Sequence, residues 1–565
     1  MNPREHCMEL ANLSSVDLIQ IDGSPSTDKH FILWNPSTRN SDGSKGMEMG
    51  SNLVDNGAKN RSPIMEMSYL LAEMVQHGLR CIAFCKSRNL TEIVLSYTRE
   101  ILRDVAPTLV DAVCAYRAGY IAEDRRKLEN KFFSGKLYGM VATNALELGI
   151  DVGNVDATLH LGFPGSISSL WQQAGRSGRR EKTSLAAYIA FDSSLDQYYM
   201  KYPRKLFDGQ IECCHINAEN PQIVKQHLIC AAFEHPLSLD YDEKFFGRII
   251  HNVLKPMGVI DLSFHPTTKI WSYIGKENVP SLEVSIRAIE TVKYRLIDLL
   301  RNVLLEEIEE SRAFFQIHEG AIHMHQGKTY VVTNLNLSDK VAFCKETKVN
   351  YYTKTIDRTK IDVLCGQMAY PPYKQTSKTK SQVQQCNVTT SWYGYYSIKK
   401  GSNKILEKWD LSLPPFTYQT QAVWVSVPEE LKRKLGEKQN SFPSGMHAAS
   451  HAILNAVPLH VRCCTTDVAA ECPSPLDTQY SPKRILFYDQ QPGGCGVSFQ
   501  IHQNFSEIVR NALDLLTCCR CSGDSGCPSC VQSAVCREFN AGVHKEVAII
   551  ILQALLDDER ALLTT

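Results

Sequence analysis

Two stretches hold residues whose types and spacing could do chemistry. Leu170–Arg180 reads LWQQAGRSGRR, with Arg176 and Arg179 three apart and a glycine before each. Two guanidinium forks held so closely suit an anion, since each presents planar, bidentate donors to phosphate or carboxylate oxygens. Yet no phosphate-cradling glycine loop accompanies them. The second stretch, Thr517–Cys536, reads TCCRCSGDSGCPSCVQSAVC and contains six cysteines. Cys527-Pro-Ser-Cys530 is the tight knuckle that points two thiolates at one tetrahedral ion. Cys536 would supply a third ligand and Cys519 or Cys521 the fourth, leaving Cys518 spare. A closed four-thiolate site has no open position, so it scaffolds rather than catalyses.

The rest of the composition frames these two signals. The chain has 565 residues, 20 cysteines, 61 basic and 61 acidic residues and 43% hydrophobic residues. That length predicts roughly three or four domains. Zero net charge does not exclude nucleic acid, because binding needs a local basic surface rather than a basic total. MNPREHCMELANLSS lacks the apolar core of a secretory signal, and no apolar run is long enough to span a bilayer. Many cysteines without a secretion signal predict a reducing compartment, with thiols or metal ligands rather than disulfides.

The elements that must position the arginines alternate along residues 64–205. MSYLLAEMVQHG, NLTEIVLSYTREILRDV and EDRRKLENKFFSG read as helices, and RCIAFCKS, VDAVCAY, LYGMVATN, DATLHLG and LAAYIAF as strands. Such alternation predicts an α/β fold with a parallel sheet covered on both faces, its ligands beyond the strands' carboxyl ends. Residues 1–63 read as a leading segment with a strand-like HFILW, followed by a Gly, Ser and Asn-rich linker. Residues 206–290 predict a small helix-rich module, and 291–440 one long amphipathic helix followed by a β-rich module. Residues 441–565 carry a helix, a strand, the PGGCG turn, the cysteine cluster and a closing helix.

Three pieces stand at strand–loop junctions: FCKSRN (Phe84–Asn89), VATNALELGID (Val141–Asp151) and QQAGRSGRR. A Thr with helix-start amides can hold a phosphate, and paired arginines can neutralise charge on a transferred phosphoryl group. Together they resemble motifs IV, V and VI of the second RecA-like domain of superfamily 2 helicases. AYRAGY followed by EDRRKLENKFFSGKLYGMVATNALELGIDVG narrows the likeness. It resembles helicases that join a DEAH-type motor to a four-cysteine zinc domain, the bacterial mitomycin-repair MrfA type and its fungal and plant RecQ-like relatives. The likeness runs from PREH and DGSPSTDKHFILWNP to HAASHAILNAVP and YDQQPGGCG, and so covers nearly the whole chain.

The resemblance implies a RecA-like domain followed by winged-helix-like, β-rich and zinc-binding modules, in an ATP-dependent DNA helicase moving 3′ to 5′ in DNA repair. Arg176 and Arg179 would be arginine fingers for the ATP γ-phosphate. Gln172 would couple that site to strand movement, and Gly149 and Asp151 would face the ribose and the cleft. Ser87, Arg88, Arg117, Gly119 and Thr143 would grip the sugar–phosphate backbone. The implied cofactors are ATP with Mg²⁺ and structural Zn²⁺. The implied partner is DNA, single-stranded or with single-stranded tails, and no membrane. The place would be the nucleus in a eukaryote and the cytoplasm otherwise.

A motor also needs a G-x-x-x-x-G-K-[ST] loop and a carboxylate pair for Mg²⁺. HQGKT (His325–Thr329) has Ile322 where the first glycine belongs and lies in a β-like region. In the family, the segment resembling NPREHCMEL follows the motif that ends the first motor domain. The expectation is a chain starting just after that domain and unable to hydrolyse ATP alone. The alternative is a non-catalytic, nucleic-acid-binding or regulatory half-helicase.

Other polar features have simpler readings. His447 and His451 are one helical turn apart but lack the intervening Glu of a zinc protease, so packing under the zinc domain is expected. His323 and His325 are expected on one face of a strand. In SWYGYYSIKK and VNYYTK, aromatics and lysines could stack bases and follow phosphates, or build a β-sheet core with snorkelling lysines.

Overall fold

The computed structural model describes all residues except 1, 12, 22, 24–26, 37–61, 149–152, 179–181, 210, 215–217, 219, 255–260, 283, 285–291, 369–378, 401–403, 429–430, 432, 434, 436–440, 465, 472–483 and 565.

Short, continuously apolar runs become strands buried on both faces, while the edge strand Lys29–Trp34 alternates half-buried and exposed residues. β1 (Lys29–Trp34), β2 (Cys81–Cys85), β3 (Val113–Tyr116), β4 (Gly139–Ala142), β5 (Ala157–Leu161) and β6 (Ser184–Ile189) form one sheet in the order β1-β6-β5-β2-β4-β3. Every neighbouring pair is parallel. Alternate side chains of β2 serve opposite faces, as the pleat requires. Cys81, Ala83 and Cys85 pack with Met67, Leu71, Val94 and Leu95. Ile82 and Phe84 pack with Tyr116, Phe132 and Met140. The first layer comes from helices Pro63–Gln76 and Arg88–Val105, the second from Ala122–Phe133.

HFILW was expected in a leading segment outside this domain. It instead adds the edge strand β1, in register with β6 from Lys29↔Ser184 to Trp34↔Ile189. Residues 29–34 therefore belong to the sheet that the linker precedes.

Helices Pro221–Glu234, Leu239–Phe246 and Ile249–Leu254 then pack with the short antiparallel strands β7 (Leu237–Ser238), β8 (Leu262–His265) and β9 (Ile270–Tyr273). Leu228, Ile250 and Leu254 fill their core. This is the helix-rich, winged-helix-like module.

The long helix expected after residue 290 does not form. Its residues make β10 (Lys293–Asp298) and β11 (Val303–Glu309), an antiparallel hairpin followed by a short helix, Glu310–Gln316. Asp298 accepts from the amides of Leu300 and Arg301, and Asn302 takes φ +51°, so the turn chemistry sits inside the apparent helical run. Burial in β10 alternates, with Tyr294, Leu296 and Asp298 inward. The apolar spacing fits either period over so few residues, and the Asp turn decides.

β10 and β11 join β12 (Ile322–His325), β13 (Lys328–Asn336) and β14 (Val341–Glu346) in a five-stranded sheet. A further sheet runs β15 (Tyr351–Met368), β16 (Gln382–Lys399), β18 (Phe416–Ser426), β20 (Arg484–Asp489) and β19 (Val468–Ala470), with β17 (Ile405–Asp410) also on β16. β18 pairs with β20, so one sheet holds strands from both sides of position 440. The C-terminal core is built by helices Ser441–Ala456, Phe505–Thr517 and Lys545–Thr564, through Ala452, Ile508, Leu552 and neighbours.

Candidate functional site

The loops expected to carry chemistry leave adjacent strands at one rim of the parallel sheet. Ser87 and Arg88 follow β2, Arg117 and Gly119 follow β3, and Thr143 follows β4. Ser87 caps the next helix by accepting from the Leu90 amide at 3.2 Å, which fixes where Arg88 leaves the strand. Arg88 is partly exposed, and its Nη1 lies 3.1 Å from Glu306 Oε1. Thr143 is almost buried, with its amide 3.3 Å from the Tyr116 carbonyl.

Glu147 links two of the three motifs. Its carboxylate accepts from Ser169 Oγ at 2.8 Å and Gln173 Nε2 at 3.0 Å, and its carbonyl accepts from Arg176 Nη2. The ALEL turn is thereby tied to the helix Ile167–Ala174 and to the first of the paired arginines. Lys29 of β1 donates to the carbonyls of Ala174 (2.5 Å) and Ser177 (3.0 Å), placing a cation at that helix's carboxyl end. Arg176 is 7% exposed, and Gln172 Oε1 beside it is buried without a hydrogen-bond partner. Gly149, Asp151 and Arg179 lie outside the described residues.

Arg117 departs from its expected grip on a phosphate. It is 2% exposed, and its Nη1 donates to both Glu306 oxygens at 2.8 and 2.9 Å. Its Nε donates to Glu92 (3.0 Å) and its Nη2 to the Met324 carbonyl (3.1 Å). With its donors so committed inside the protein, Arg117 braces the parallel sheet against β11 and β12. Gly119 serves the same junction: at φ +104°, a Cβ there would stand 2.0 Å from Glu306 Oε1. HQGKT forms the β12–β13 turn, where the amides of Gln326 and Gly327 donate to Glu92. It cradles a carboxylate of this chain.

Burial opposes charge on Glu306, but the His323 hydrogen bond and the Arg117 and Arg88 charges hold it at about 2. Burial likewise works against Glu92, yet Arg117 and Tyr120 keep its pKa below the usual carboxylate range. Burial also works against the Arg117 charge; Glu306 leads the groups that outweigh it and raise its pKa. His323 lies 3.1 Å from Glu306, and His325 packs edge-on against Tyr120. Glu92, Glu147 and Glu306 were not singled out from sequence. The available signal was Glu92 on the buried face of its helix, beside Thr91, Val94 and Leu95.

In the aromatic stretches, Trp392 packs with Phe314 and Phe315, whereas Tyr393 and Trp409 are exposed. Trp392 thus belongs to the β-sheet core, while Tyr393 faces outward on the same strand and Trp409 stands on the neighbouring β17.

The cysteine cluster resolves into four thiols. Cys519, Cys521, Cys527 and Cys530 place their sulfurs within 4.8 Å of one another. The spacings are 3.5 Å for Cys519–Cys527, and 3.6 Å for both Cys521–Cys530 and Cys527–Cys530. Thiolates bound at about 2.3 Å to one tetrahedral ion would stand about 3.8 Å apart, so the set fits zinc. The Cys527 amide donates to Cys530 Sγ at 3.1 Å, and Lys545 Nζ to the Cys519 carbonyl at 2.8 Å. Both Cys519 and Cys521 join the group. Cys536, expected as the third ligand, does not: the turn after Val531 carries it to His447 instead. Ser529, inside the knuckle, donates to the Asp192 carbonyl and docks this module on the parallel-sheet domain.

This arrangement has relatives. Residues 64–181 match the helicase conserved C-terminal domain, and residues 216–289 the winged helix domain of the ATP-dependent helicase HRQ1. Residues 449–531 match the MrfA Zn-binding domain, a span that includes all four clustered cysteines. The chain thus carries helicase C-terminal, HRQ1 winged-helix and MrfA zinc-binding domains, and it is similar to the MrfA and Hrq1 helicases over nearly all its length. ATP-dependent helicase hrq1 of Schizosaccharomyces pombe is 31% identical over 98% of this chain and 52% of its own length. HRQ1 of Saccharomyces cerevisiae is 29% identical over 98% and 51%. The crystal structure of the DUF1998 helicase MrfA bound to DNA superposes with a TM-score of 0.66 at 27% identity, covering 98% of this chain and 70% of that one. The chain spans about half the length of the two yeast relatives.

Proposed function

We propose that this chain supplies the second motor domain and the DNA-holding modules of an ATP-dependent DNA helicase that tracks 3′ to 5′ and serves DNA repair, in the nucleus if its cell is eukaryotic and in the cytoplasm otherwise. The observation that carries the reading is the Glu147 junction, which locks the TNALEL turn to QQAGR and sets Arg176 at the sheet rim. A finger must be rigid to meet charge that develops on a phosphoryl group. In this reading Arg176 and Arg179 reach the γ-phosphate of ATP held with Mg²⁺ mainly by a first RecA-like domain. Gln172 relays the state of that site, and Gly149 and Asp151 face the ribose and the cleft. No G-x-x-x-x-G-K-[ST] sequence occurs in these 565 residues, so the half-site alone would not turn over ATP.

Ser87, Arg88 and Thr143 are the proposed contacts to a single DNA strand, with Arg117 and Gly119 positioning Arg88 through Glu306. Cys519, Cys521, Cys527 and Cys530 would hold zinc, whose chemistry here is to fix four thiolates. Lys545 and the Cys527 amide orient two of those sulfurs' surroundings. Fluorescence anisotropy with a labelled single-stranded oligonucleotide tests the DNA contact. Binding should weaken as salt rises and fall several-fold in Arg88→Ala. Binding unchanged in Arg88→Ala would remove that residue from the interface.

A further inference from the structure

Beneath the four-thiol cluster lies a second convergence of metal-binding side chains. His447 and His451 sit one turn apart on the helix Ser441–Ala456, their ring centroids 4.4 Å apart. Cys536 Sγ is 3.5 Å from His447 Nε2. One ligand atom from each of the three residues lies within 4.8 Å of the others, and all three side chains are buried. This group shares no residue with the four-thiol cluster.

The geometry points to a second divalent metal site, of zinc type, formed by Cys536, His447 and His451. A thiolate at about 2.3 Å and an imidazole nitrogen at about 2.0 Å from one tetrahedral ion stand about 3.5 Å apart, which is the Cys536–His447 separation. The outer contacts suit ligands as well. His451 Nδ1 faces the Val531 carbonyl at 3.0 Å, an acceptor that places the proton on Nδ1 and leaves Nε2 its lone pair. The Asn540 amide donates to Cys536 Sγ at 3.3 Å. Phe539 and Asn540 adopt φ of +52° and +60°, wrapping the turn around the sulfur. Asn540 Oδ1 accepts from the Ser533 amide at 2.8 Å and closes that turn. Three protein ligands leave one position for water or hydroxide, and burial assigns the ion a structural role. It would staple the Ser533–Asn540 turn, and through Val531 the outer zinc knuckle, to the helix beneath.

Zinc content of the purified chain decides the matter. Mass spectrometry should find two zinc per chain in the parent, and one in each of Cys536→Ser and His451→Gln. In the cobalt-substituted parent, Cys536→Ser should remove about one fifth of the thiolate-to-cobalt charge-transfer absorption, one sulfur of five. One zinc in the parent, unchanged in Cys536→Ser, would overturn the proposal and leave a thiol–imidazole hydrogen bond. If both variants fail to fold, the parent decides alone: two zinc support the site and one refutes it.

Discussion

Arg117 and Glu306 meet through two hydrogen bonds of 2.8 and 2.9 Å, one partner 2% exposed and the other fully buried. The pair joins the carboxyl rim of the parallel sheet to β11 of the next module. Arg88, a proposed DNA contact, reaches the same carboxylate at 3.1 Å. The proposed strand-holding surface is thus tied by charge to the domain behind it.

Breaking one partner of a buried pair leaves the other uncompensated, at a cost of about 3–5 kcal/mol. Glu306→Gln is expected to lower stability by about 3 kcal/mol in urea unfolding followed by circular dichroism. Arg117→Met should cost a similar amount, and the double variant less than the sum. Additive losses would show that the two charges do not act as a pair.

Gly119→Ala should destabilise through a clash as well as through φ. The new methyl would meet Glu306 Oε1 at 2.0 Å, whereas at Gly78 (φ +71°) nothing lies within 4 Å. Thermal melts should therefore show a larger loss for Gly119→Ala than for Gly78→Ala, whose cost is about 1 kcal/mol. Equal losses would mean that Glu306 moves aside freely.

Stability should fall in two stages as the solution is acidified. His160 sits between Phe31 and Phe84, and burial lowers its pKa from 6.5 to about 4. The unfolded chain therefore takes up a proton that the folded one refuses between pH 6.5 and 4, and stability drops across that window. Glu306, held at about 2 against an ordinary 4.5, adds a second loss as pH falls from 4.5 towards 2. Melting temperatures across pH should show both phases, with His160→Gln flattening the first and Glu306→Gln the second.

The parallel sheet was legible from sequence because each strand is a short apolar run bounded by turn residues, as in CIAFC and ATLHL. The clustering of the motifs at one rim followed from that topology. The β10–β11 hairpin was not legible, since KYRLIDLLRNVLLEEIE satisfies helical spacing and only the Asp298 turn breaks it. Glu306 was hidden by the same misreading, and with it the burial of Arg117. The four-thiol cluster was legible as a group but not as a set: spacing nominates Cys519, Cys521, Cys527, Cys530 and Cys536, and only the fold separates Cys536 from the other four.

Removing a thiolate from the outer cluster should release its ion and loosen what it fixes. Cys527→Ser is expected to lose one zinc and to melt several degrees lower. It should also raise proteolysis near residues 519–530, where the knuckle docks on Asp192 through Ser529. Retention of both zinc content and melting temperature would rule out Cys527 as a ligand.

In the proposed motor, Arg176 completes an ATP site whose other half lies on a first RecA-like domain. The direct measurement is single-stranded-DNA-stimulated ATP hydrolysis by this chain alone and by the chain joined to such a domain carrying a phosphate loop. The chain alone should show no turnover, and the joined protein should show stimulated turnover. In the joined protein, Arg176→Ala should lower kcat by about 10³-fold or more with DNA binding retained. Turnover by the isolated chain, or full activity in Arg176→Ala, would contradict this shared site.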